Sequence, residues 1–256
     1  MSDRIERLRS RVMRRDSSKI KARHAYTAYD QRVMELLNAL PEGSAVLDVG
    51  GGRGSQYGEL FPRKGVKLVV WDIDADELAL NTVADHCVVV DISEPGVSES
   101  HDDRFDLILV RAGVEHFPDN QAAIENFAGV AKPGGVLLAT FADGHAPFAL
   151  LNRALPTTVS GFLLEKLLPA SSHLVGFEAH YDRCRYRPYR DLLERSSFRI
   201  NKHFCSYDSS AYFAALPPVY LLSRGLDEAR RLVGRDIWPS YHLFEARLSG
   251  EQPVRT

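Results

Sequence analysis

The sequence predicts an α/β protein of the Rossmann-like type, with a seven-stranded, mostly parallel sheet and helices on both faces. Short apolar runs alternate along the chain with stretches of helical periodicity, which is the pattern of a doubly wound sheet. Three successive runs end in an aspartate, and a glycine-rich turn follows the first of them. The last strand, expected over residues 240–248, is predicted to insert antiparallel, as is usual in this fold class.

Composition narrows the class of protein. The 256 residues, 45% of them hydrophobic and 26% charged, suit one soluble domain with some elaboration. A net charge of -2 argues against a general nucleic-acid binder. No apolar run reaches membrane-spanning length, and the N-terminus lacks the apolar stretch of a secretory signal. The three cysteines fit no zinc spacing and indicate reduced thiols in a cytoplasmic protein.

Residues 1–43 are predicted to form an N-terminal helical cap ahead of the main domain, residues 44–256. Residues 1–23 carry nine basic side chains against three acidic ones, and their apolar residues have helical spacing. Two interpretations stay open. This basic segment either covers the site and holds an anionic or polyhydroxylated substrate, or it is a solvated helix without a ligand.

The glycine-rich turn follows the strand predicted over residues 45–49. Glycine allows a positive φ and a close approach of the backbone to a ligand, and Gly50 and Gly52 stand where such a turn needs them. The following N–H groups would point into the crevice above the strand ends and could bind a carboxylate. Ser55 replaces the glycine that would complete a dinucleotide fingerprint, whereas Asp48 suits a ligand that carries an ammonium group.

Read from Asp48, the pattern D-x-G-x-G-x-G resembles the first motif of the class I S-adenosylmethionine-dependent methyltransferases. The resemblance implies that Asp48, Gly50 and Gly52 hold the methionine portion of the cofactor S-adenosylmethionine. It also implies that the segment before the first strand lies over the cofactor. Tyr29 is therefore a candidate pocket residue, although core packing explains this tyrosine equally well.

The next two strands also end in aspartates. Asp72 ends the second strand about twenty residues beyond the glycine turn, where a carboxylate can accept hydrogen bonds from both ribose hydroxyls of adenosine. Ile73 follows it and is assigned to the same cofactor site. Asp91 ends the third strand, and the resemblance implies that it accepts from the adenine amino group while Ile92 packs on the ring.

The resemblance covers residues 45–141. Arg111 follows the fourth strand and is assigned to the cofactor site, and Glu115-His116 matches the E-H pair of the family. The sequence K-P-G-G at residues 132–135 is a further hallmark and is predicted to form a turn before the fifth strand. An N-P-P-Y-type sequence, typical of enzymes that methylate nucleobase or amide nitrogens, is absent, which favours oxygen or carbon acceptors.

A hydroxyl acceptor needs a base within hydrogen-bond reach, and histidine is suited to that role near neutral pH. His145 is the first candidate because it follows the fifth strand and opens an insertion at about residues 146–187. Asp143 either orients its imidazole or shares a divalent metal ion such as magnesium. His116 is the second candidate, with a structural role as its alternative. The insertion is predicted to be a helical lid or substrate wall, and its polar side chains are candidate substrate ligands: His173, Glu178, His180 and Tyr181.

The sequence patterns that indicate the methyl acceptor are weaker than those that indicate the cofactor. Residues 147–153, 176–184 and 212–213 resemble bacterial methyltransferases that act on sugars or polysaccharide precursors, which implies O-methylation of a saccharide hydroxyl in a small molecule or oligosaccharide. The alternative is a phenolic, quinone-like or natural-product hydroxyl, against which the aromatic insertion would stack. A third interpretation is a non-catalytic scaffold that binds the cofactor. The sequence also leaves a homodimer open.

Overall fold

The computed structural model describes residues 20–54, 57–58, 60–61, 65–154, 178–213, 217–234 and 238–250. Within these ranges, helices and strands alternate along most of the chain, as the apolar periodicity predicts. The elements are α1 (Ala25–Ala39), β1 (Ala45–Val49), β2 (Lys67–Asp72), α2 (Ala75–Ala79), β3 (His86–Val89), β4 (Phe105–Arg111), α3 (Asn120–Val130), β5 (Ala131–Ala142), α4 (Pro147–Ala154), α5 (Tyr186–Arg195), β6 (Phe198–Ser206), α6 (Pro217–Val233) and β7 (Tyr241–Leu248).

The strands form one seven-stranded sheet in the order β3-β2-β1-β4-β5-β7-β6. β1 to β5 are parallel to one another, and β7 runs antiparallel to both of its neighbours, β5 and β6. The predicted sheet and its antiparallel last strand are therefore confirmed. Reversal of β7 places its first residue, Tyr241, opposite Ala142 at the carboxyl end of β5.

The K-P-G-G segment lies inside β5 rather than in a turn before it. Phe105 pairs with Ala131, but Leu107 pairs with Val136, so residues 132–135 lie opposite the single residue Asp106 at a shift in register between β4 and β5. Gly134 has a φ of 80°, a conformation that side-chain-bearing residues adopt at a cost, and it permits the irregularity. The prediction of a turn before β5 was therefore wrong, but the segment does interrupt the pairing of β4 with β5.

The sheet separates two apolar layers because successive side chains of a strand point to opposite faces. In one layer, Phe244 of β7 contacts Tyr189 of α5 and belongs to the same buried cluster as Phe127 of α3. In the other, Tyr29 and Val33 of α1 pack on the opposite face of the sheet. The described part of the predicted N-terminal cap thus shares a hydrophobic core with the sheet.

α6, the longest described helix, is anchored through buried polar groups. Arg230 and Asp227 form an ion pair 2.5 Å long, with side chains that are 5% and 1% exposed. Asp227 also accepts the main-chain N–H groups of Ser209 and Ser210 at 3.0 and 2.9 Å, and Arg230 donates to the Tyr207 carbonyl at 2.7 Å. These bonds attach α6 to the segment that follows β6. Within the described ranges, neither α6 nor another helix has the length and apolarity needed to cross a membrane.

We expect Asp227→Ala to destabilise the fold by about 3–5 kcal/mol, because it leaves the Arg230 guanidinium buried without its counter-ion. Urea unfolding followed by circular dichroism measures the change. Asp191→Ala is the control: it removes a half-exposed carboxylate paired with Arg190 and should leave the unfolding midpoint near that of the wild type. Equal losses in the two variants would contradict a specific role for the buried pair.

Candidate functional site

A cavity of about 530 Å³ opens at the carboxyl edge of the parallel strands. Parallel strands bring their carboxyl ends to one edge, so side chains that lie far apart in the sequence meet there. The lining comes from the ends of β1, β2 and β4, from the residues that follow each of β1 to β4, and from the segment that precedes α5: Val49, Gly50, Trp71, Asp72, Ile73, Val90, Asp91, Ile92, Arg111, Ala112, Gly113, His116, Phe117, Pro118, Glu178 and His180.

The glycine turn after β1 borders the cavity through Gly50. Gly50 and Gly52 have φ angles of 74° and 49°, in the left-handed region that favours glycine. At Gly51 an added Cβ would lie 2.9 Å from a Val70 methyl group, so this position lacks room for a side chain. Asp48 is 8% exposed and lies against the turn, and neither it nor Gly52 is among the lining residues. The roles of Asp48 and Gly52 as cofactor ligands stay predictions.

Asp72 connects the glycine turn with the cavity. Its Oδ2 accepts the Gly52 N–H at 2.9 Å and its Oδ1 accepts the Asp74 N–H at 2.9 Å, while the residue lines the cavity. Asn81, which the sequence did not single out, donates from Nδ2 to the Gly52 carbonyl at 2.8 Å. A carboxylate has about four lone-pair sites, so Asp72 can hold the turn and still accept from ligand hydroxyls.

Asp91 and Ile92 face the same cavity as Asp72, although they follow a different strand. Asp91 Oδ1 accepts the Ser93 N–H at 2.9 Å and is also bonded by the Ser93 hydroxyl, and these bonds orient the carboxylate. Ile73 contributes an exposed apolar side chain to the lining. The structure thus places together the polar and apolar groups that the resemblance assigns to an adenosine site.

Arg111 supplies a positive charge to the cavity and is held from α1. Its guanidinium carbon lies 4.9 Å from the centroid of the Tyr26 ring, and its Nε donates to Asp30 Oδ1 at 3.1 Å. The Tyr57 hydroxyl donates to the same Asp30 oxygen at 2.6 Å. Asp30 therefore joins α1, the segment after the glycine turn and β4. Sequence reasoning missed it because an aspartate within a helix reads as a solvated residue.

Tyr29 is buried in the apolar layer and does not line the cavity. Its hydroxyl lacks a hydrogen-bond partner among the residues that the structure describes. Burial, with the nearby Asp48 carboxylate as a smaller contribution, raises the pKa of Tyr29 well above its usual value. This position corresponds to the core-packing alternative rather than to a pocket residue.

The E-H pair ties the end of β4 to the segment before α5. His116 Nδ1 lies 3.0 Å from the Glu178 carbonyl oxygen. The Glu115 carbonyl accepts the N–H groups of His180 and Tyr181 at 2.9 and 3.0 Å. Glu178 and His180 consequently reach the cavity, whereas Tyr181 is 9% exposed and packs in the core.

The Glu178 carbonyl determines the tautomer of neutral His116. A carbonyl oxygen only accepts hydrogen bonds, so Nδ1 carries the hydrogen and Nε2 carries the lone pair. His116 lines the cavity and can accept a proton at Nε2. The neighbouring Glu115 side chain is buried, which raises the pKa of its carboxyl group, and its Oε1 lies 3.4 Å from the Ala142 N–H.

Asp143 and His145 lie on the turn after β5 and are not among the residues that line the cavity. Asp143 Oδ1 accepts the main-chain N–H of His145 at 2.6 Å, and its Oδ2 lies 2.8 Å from His242 Nε2. His242 Nδ1 in turn lies 3.1 Å from His203 Nε2. The carboxylate therefore holds the backbone of the turn. His203 and His242 belong to β6 and β7, and no local sequence motif identifies them as neighbours of Asp143.

For two sequence-based predictions the described residues provide no supporting geometry. His173 lies outside the described residues. Among the described residues, no three histidine, cysteine, aspartate or glutamate side chains are grouped as the ligands of a metal ion would be. The alternative in which Asp143 shares a divalent metal ion therefore has no ligand set in the described part of the chain.

Comparison with known proteins identifies relatives. Residues 22–213 match the family described as "Methyltransferase domain". Ubiquinone biosynthesis O-methyltransferase of Alkalilimnicola ehrlichii is 30% identical over 143 residues, which are 52% of this chain and 53% of that protein. The protein of the same name from Coxiella burnetii is 29% identical over 142 residues, covering 52% of this chain and 56% of the relative. The chain thus matches only about half the length of these curated relatives.

Solved structures agree at the level of the fold. A SAM-dependent methyltransferase from Archaeoglobus fulgidus is 15% identical, with a TM-score of 0.52 over 89% of this chain and 97% of the other. Haemonchus contortus phosphoethanolamine N-methyltransferase 2, solved with S-adenosyl-L-methionine, is 14% identical, with a TM-score of 0.51 over 86% of this chain and 52% of the other. At such identities the likeness concerns the architecture alone.

We expect Asp72→Ala to weaken S-adenosylmethionine binding by about 1–3 kcal/mol, roughly 5- to 150-fold in Kd, because ligand hydroxyls and the Gly52 amide lose their acceptor. Isothermal titration calorimetry measures the affinity. Asp74→Ala is the matched control, since Asp74 caps α2 through the N–H groups of Asp76 and Glu77. Asp74→Ala should destabilise the protein but leave its affinity for S-adenosylmethionine unchanged. A loss of affinity equal to that of Asp72→Ala would contradict a specific role of Asp72 in binding.

Proposed function

Since the chain belongs to the class I S-adenosylmethionine-dependent methyltransferases, we propose that it methylates an oxygen atom of a phenolic or quinone-like acceptor. Bound S-adenosylmethionine would supply a methyl group on a sulfonium, already activated for displacement by an oxygen nucleophile. The residues present fit this cofactor: Asp72 and Asp91 offer acceptors, Ile92 offers an apolar surface, and Arg111 offers a positive charge for its carboxylate.

One observation carries the proposed mechanism: His116 lines the cavity with its Nδ1 held by the Glu178 carbonyl. In this tautomer Nε2 is the basic atom, and it would take the proton of the acceptor hydroxyl as the oxygen is methylated. A base positioned in this way contributes roughly 10²–10⁴-fold to a rate. His145, the first candidate from the sequence, does not line the described cavity and stays a prediction for a separate test.

Two findings favour a phenolic over a saccharide acceptor. The curated relatives are named for O-methylation in ubiquinone biosynthesis. In addition, part of the segment that resembles sugar methyltransferases has a structural role here. Asp182 accepts the Asn120 N–H at 3.0 Å and its carbonyl accepts Asn120 Nδ2 at 2.7 Å, while Cys184 is buried and its carbonyl accepts the Gly144 N–H at 2.8 Å. These residues fasten the segment to α3 and to the turn after β5.

We expect His116→Gln to lower kcat by about 10²–10⁴-fold with little change in S-adenosylmethionine affinity, because glutamine keeps a polar contact but cannot take the proton. Steady-state kinetics and calorimetry separate the two effects. His145→Ala is the comparison: a larger loss there, with normal turnover in His116→Gln, would transfer the role of base to His145.

An acceptor panel tests the substrate class. The purified chain, incubated with S-adenosylmethionine, should methylate catechols and hydroxyquinols and not partly methylated sugars. Mass spectrometry detects the replacement of a hydroxyl hydrogen by a methyl group. Methylation of the sugars alone would restore the saccharide proposal. Cofactor binding without methylation of either class would favour the non-catalytic scaffold.

A further inference from the structure

Within the part of the chain that the structure describes, Arg111 is the only lysine or arginine that lines the cavity at the carboxyl edge. The acidic side chains of the lining are those of Asp72, Asp91 and Glu178. In a cleft of this kind, like charges repel each other and opposite charges attract. A ligand that carries a carboxylate of its own is therefore expected to place that group at Arg111.

Arg111 lies at the opposite end of the cavity from the group assigned to the adenine. It ends β4, whereas Asp91 follows β3, and the order β3-β2-β1-β4 separates these two strands by three spacings, about 14 Å. The glycine turn follows β1, which is the neighbour of β4. A ligand with its adenine at Asp91 and its ribose at Asp72 would thus bring its amino-acid tail to Arg111.

Two contacts from α1 hold the Arg111 guanidinium. Its Nε donates to Asp30 Oδ1 at 3.1 Å, and its central carbon lies 4.9 Å from the centroid of the Tyr26 ring. Its Nη1 and Nη2 atoms donate no hydrogen bond to another residue that the structure describes. These two nitrogens form the planar fork with which arginine binds a carboxylate through two parallel hydrogen bonds.

The ion pair between Asp30 and Arg111 contributes little to the stability of the fold. The two side chains are 32% and 36% exposed, and ion pairs at such exposure are weak because water screens them. Asp30 does not line the cavity, but its Oδ1 also accepts the Tyr57 hydroxyl at 2.6 Å, which keeps the carboxylate in place. The main effect of Asp30 is therefore on the direction of the long, flexible Arg111 side chain.

We propose that Asp30 is a positioning residue which, through Arg111, makes the cofactor site selective for a ligand with a free carboxylate. Asp30 holds Nε, Tyr26 supports the face of the guanidinium, and the two Nη groups meet the carboxylate of the amino-acid tail. An arginine that is oriented before the ligand arrives loses less conformational freedom on binding, so the affinity is higher. The proposal rests on the cofactor that the proposed function requires and is independent of the methyl acceptor.

Isothermal titration calorimetry with two ligands tests the proposal. Decarboxylated S-adenosylmethionine keeps the adenosine, the sulfonium and the ammonium group and lacks only the carboxylate. We expect the wild-type chain to bind S-adenosylmethionine about tenfold or more tightly than the decarboxylated compound. Asp30→Ala should remove most of this preference by weakening the binding of S-adenosylmethionine alone. A merely structural role of Asp30 would weaken the binding of both ligands equally.

Further variants separate positioning from other effects. Asp30→Asn should keep the preference for S-adenosylmethionine, because its amide oxygen still accepts the Nε–H group. In an Arg111→Ala background, Asp30→Ala should cause no further change in the preference, because the group that Asp30 positions is gone. Glu35→Ala is the matched control: Glu35 is an exposed acid of the same helix, paired with Arg32, and does not line the cavity. This variant should show the preference of the wild type.

Circular dichroism checks that each variant is folded. An unchanged preference in Asp30→Ala, or an equal loss of affinity for both ligands, would overturn the proposal. A loss of preference in Asp30→Asn as large as that in Asp30→Ala would also overturn it. Because no methyl acceptor is added, these results leave the proposed acceptor untouched, whereas binding of neither ligand by the wild type would overturn the cofactor assignment together with this proposal.

Discussion

The site depends on the bond between the Asp72 carboxylate and the Gly52 amide. β1 and β2 are adjacent parallel strands, so the residue that ends β2 meets the turn that leaves β1. The bond gives the glycine turn one definite shape at a place where glycine alone would allow many. Asp91 then reaches the same cavity from the end of the next strand. The order of the strands thus converts three separate sequence signals into one pocket.

A second set of contacts attaches other parts of the chain to that edge. Asp30 of α1 binds both Arg111 and Tyr57, and the Glu115 carbonyl binds the backbone of residues 180 and 181. These contacts join α1 to β4 and to the segment after the glycine turn, and they join the segment before α5 to the residues that follow β4. Movement of these segments away from the cavity would open it to water, and the hydrogen bonds limit that movement.

Sequence reasoning succeeded where the signal was local. Asp72 and Asp91 stand at the ends of apolar runs and Glu115-His116 follows another run by a few residues, and the parallel arrangement of those runs gives their positions in space. It failed where the partner was distant in the chain. His242 lies 99 residues beyond Asp143, and Asp30 lies 81 residues before Arg111, and neither partner has a local pattern that marks it. Tyr29 shows the same limit, because a tyrosine on a helix face is compatible with both core and pocket until the packing is known.

The position of β7 in the sheet has a consequence for the order in which the chain can assemble during synthesis. β6 is made first but contacts the sheet through β7, which lies between it and β5. While the ribosome is still extending the chain, β1 to β5 can pair, but β6 must wait with an unpaired edge until residues 241–248 have emerged. A nascent chain at that stage exposes strand edges that are open to wrong pairing. The interval between translation of the sixth and seventh strands is thus one in which the edges of both β5 and β6 lack their partner.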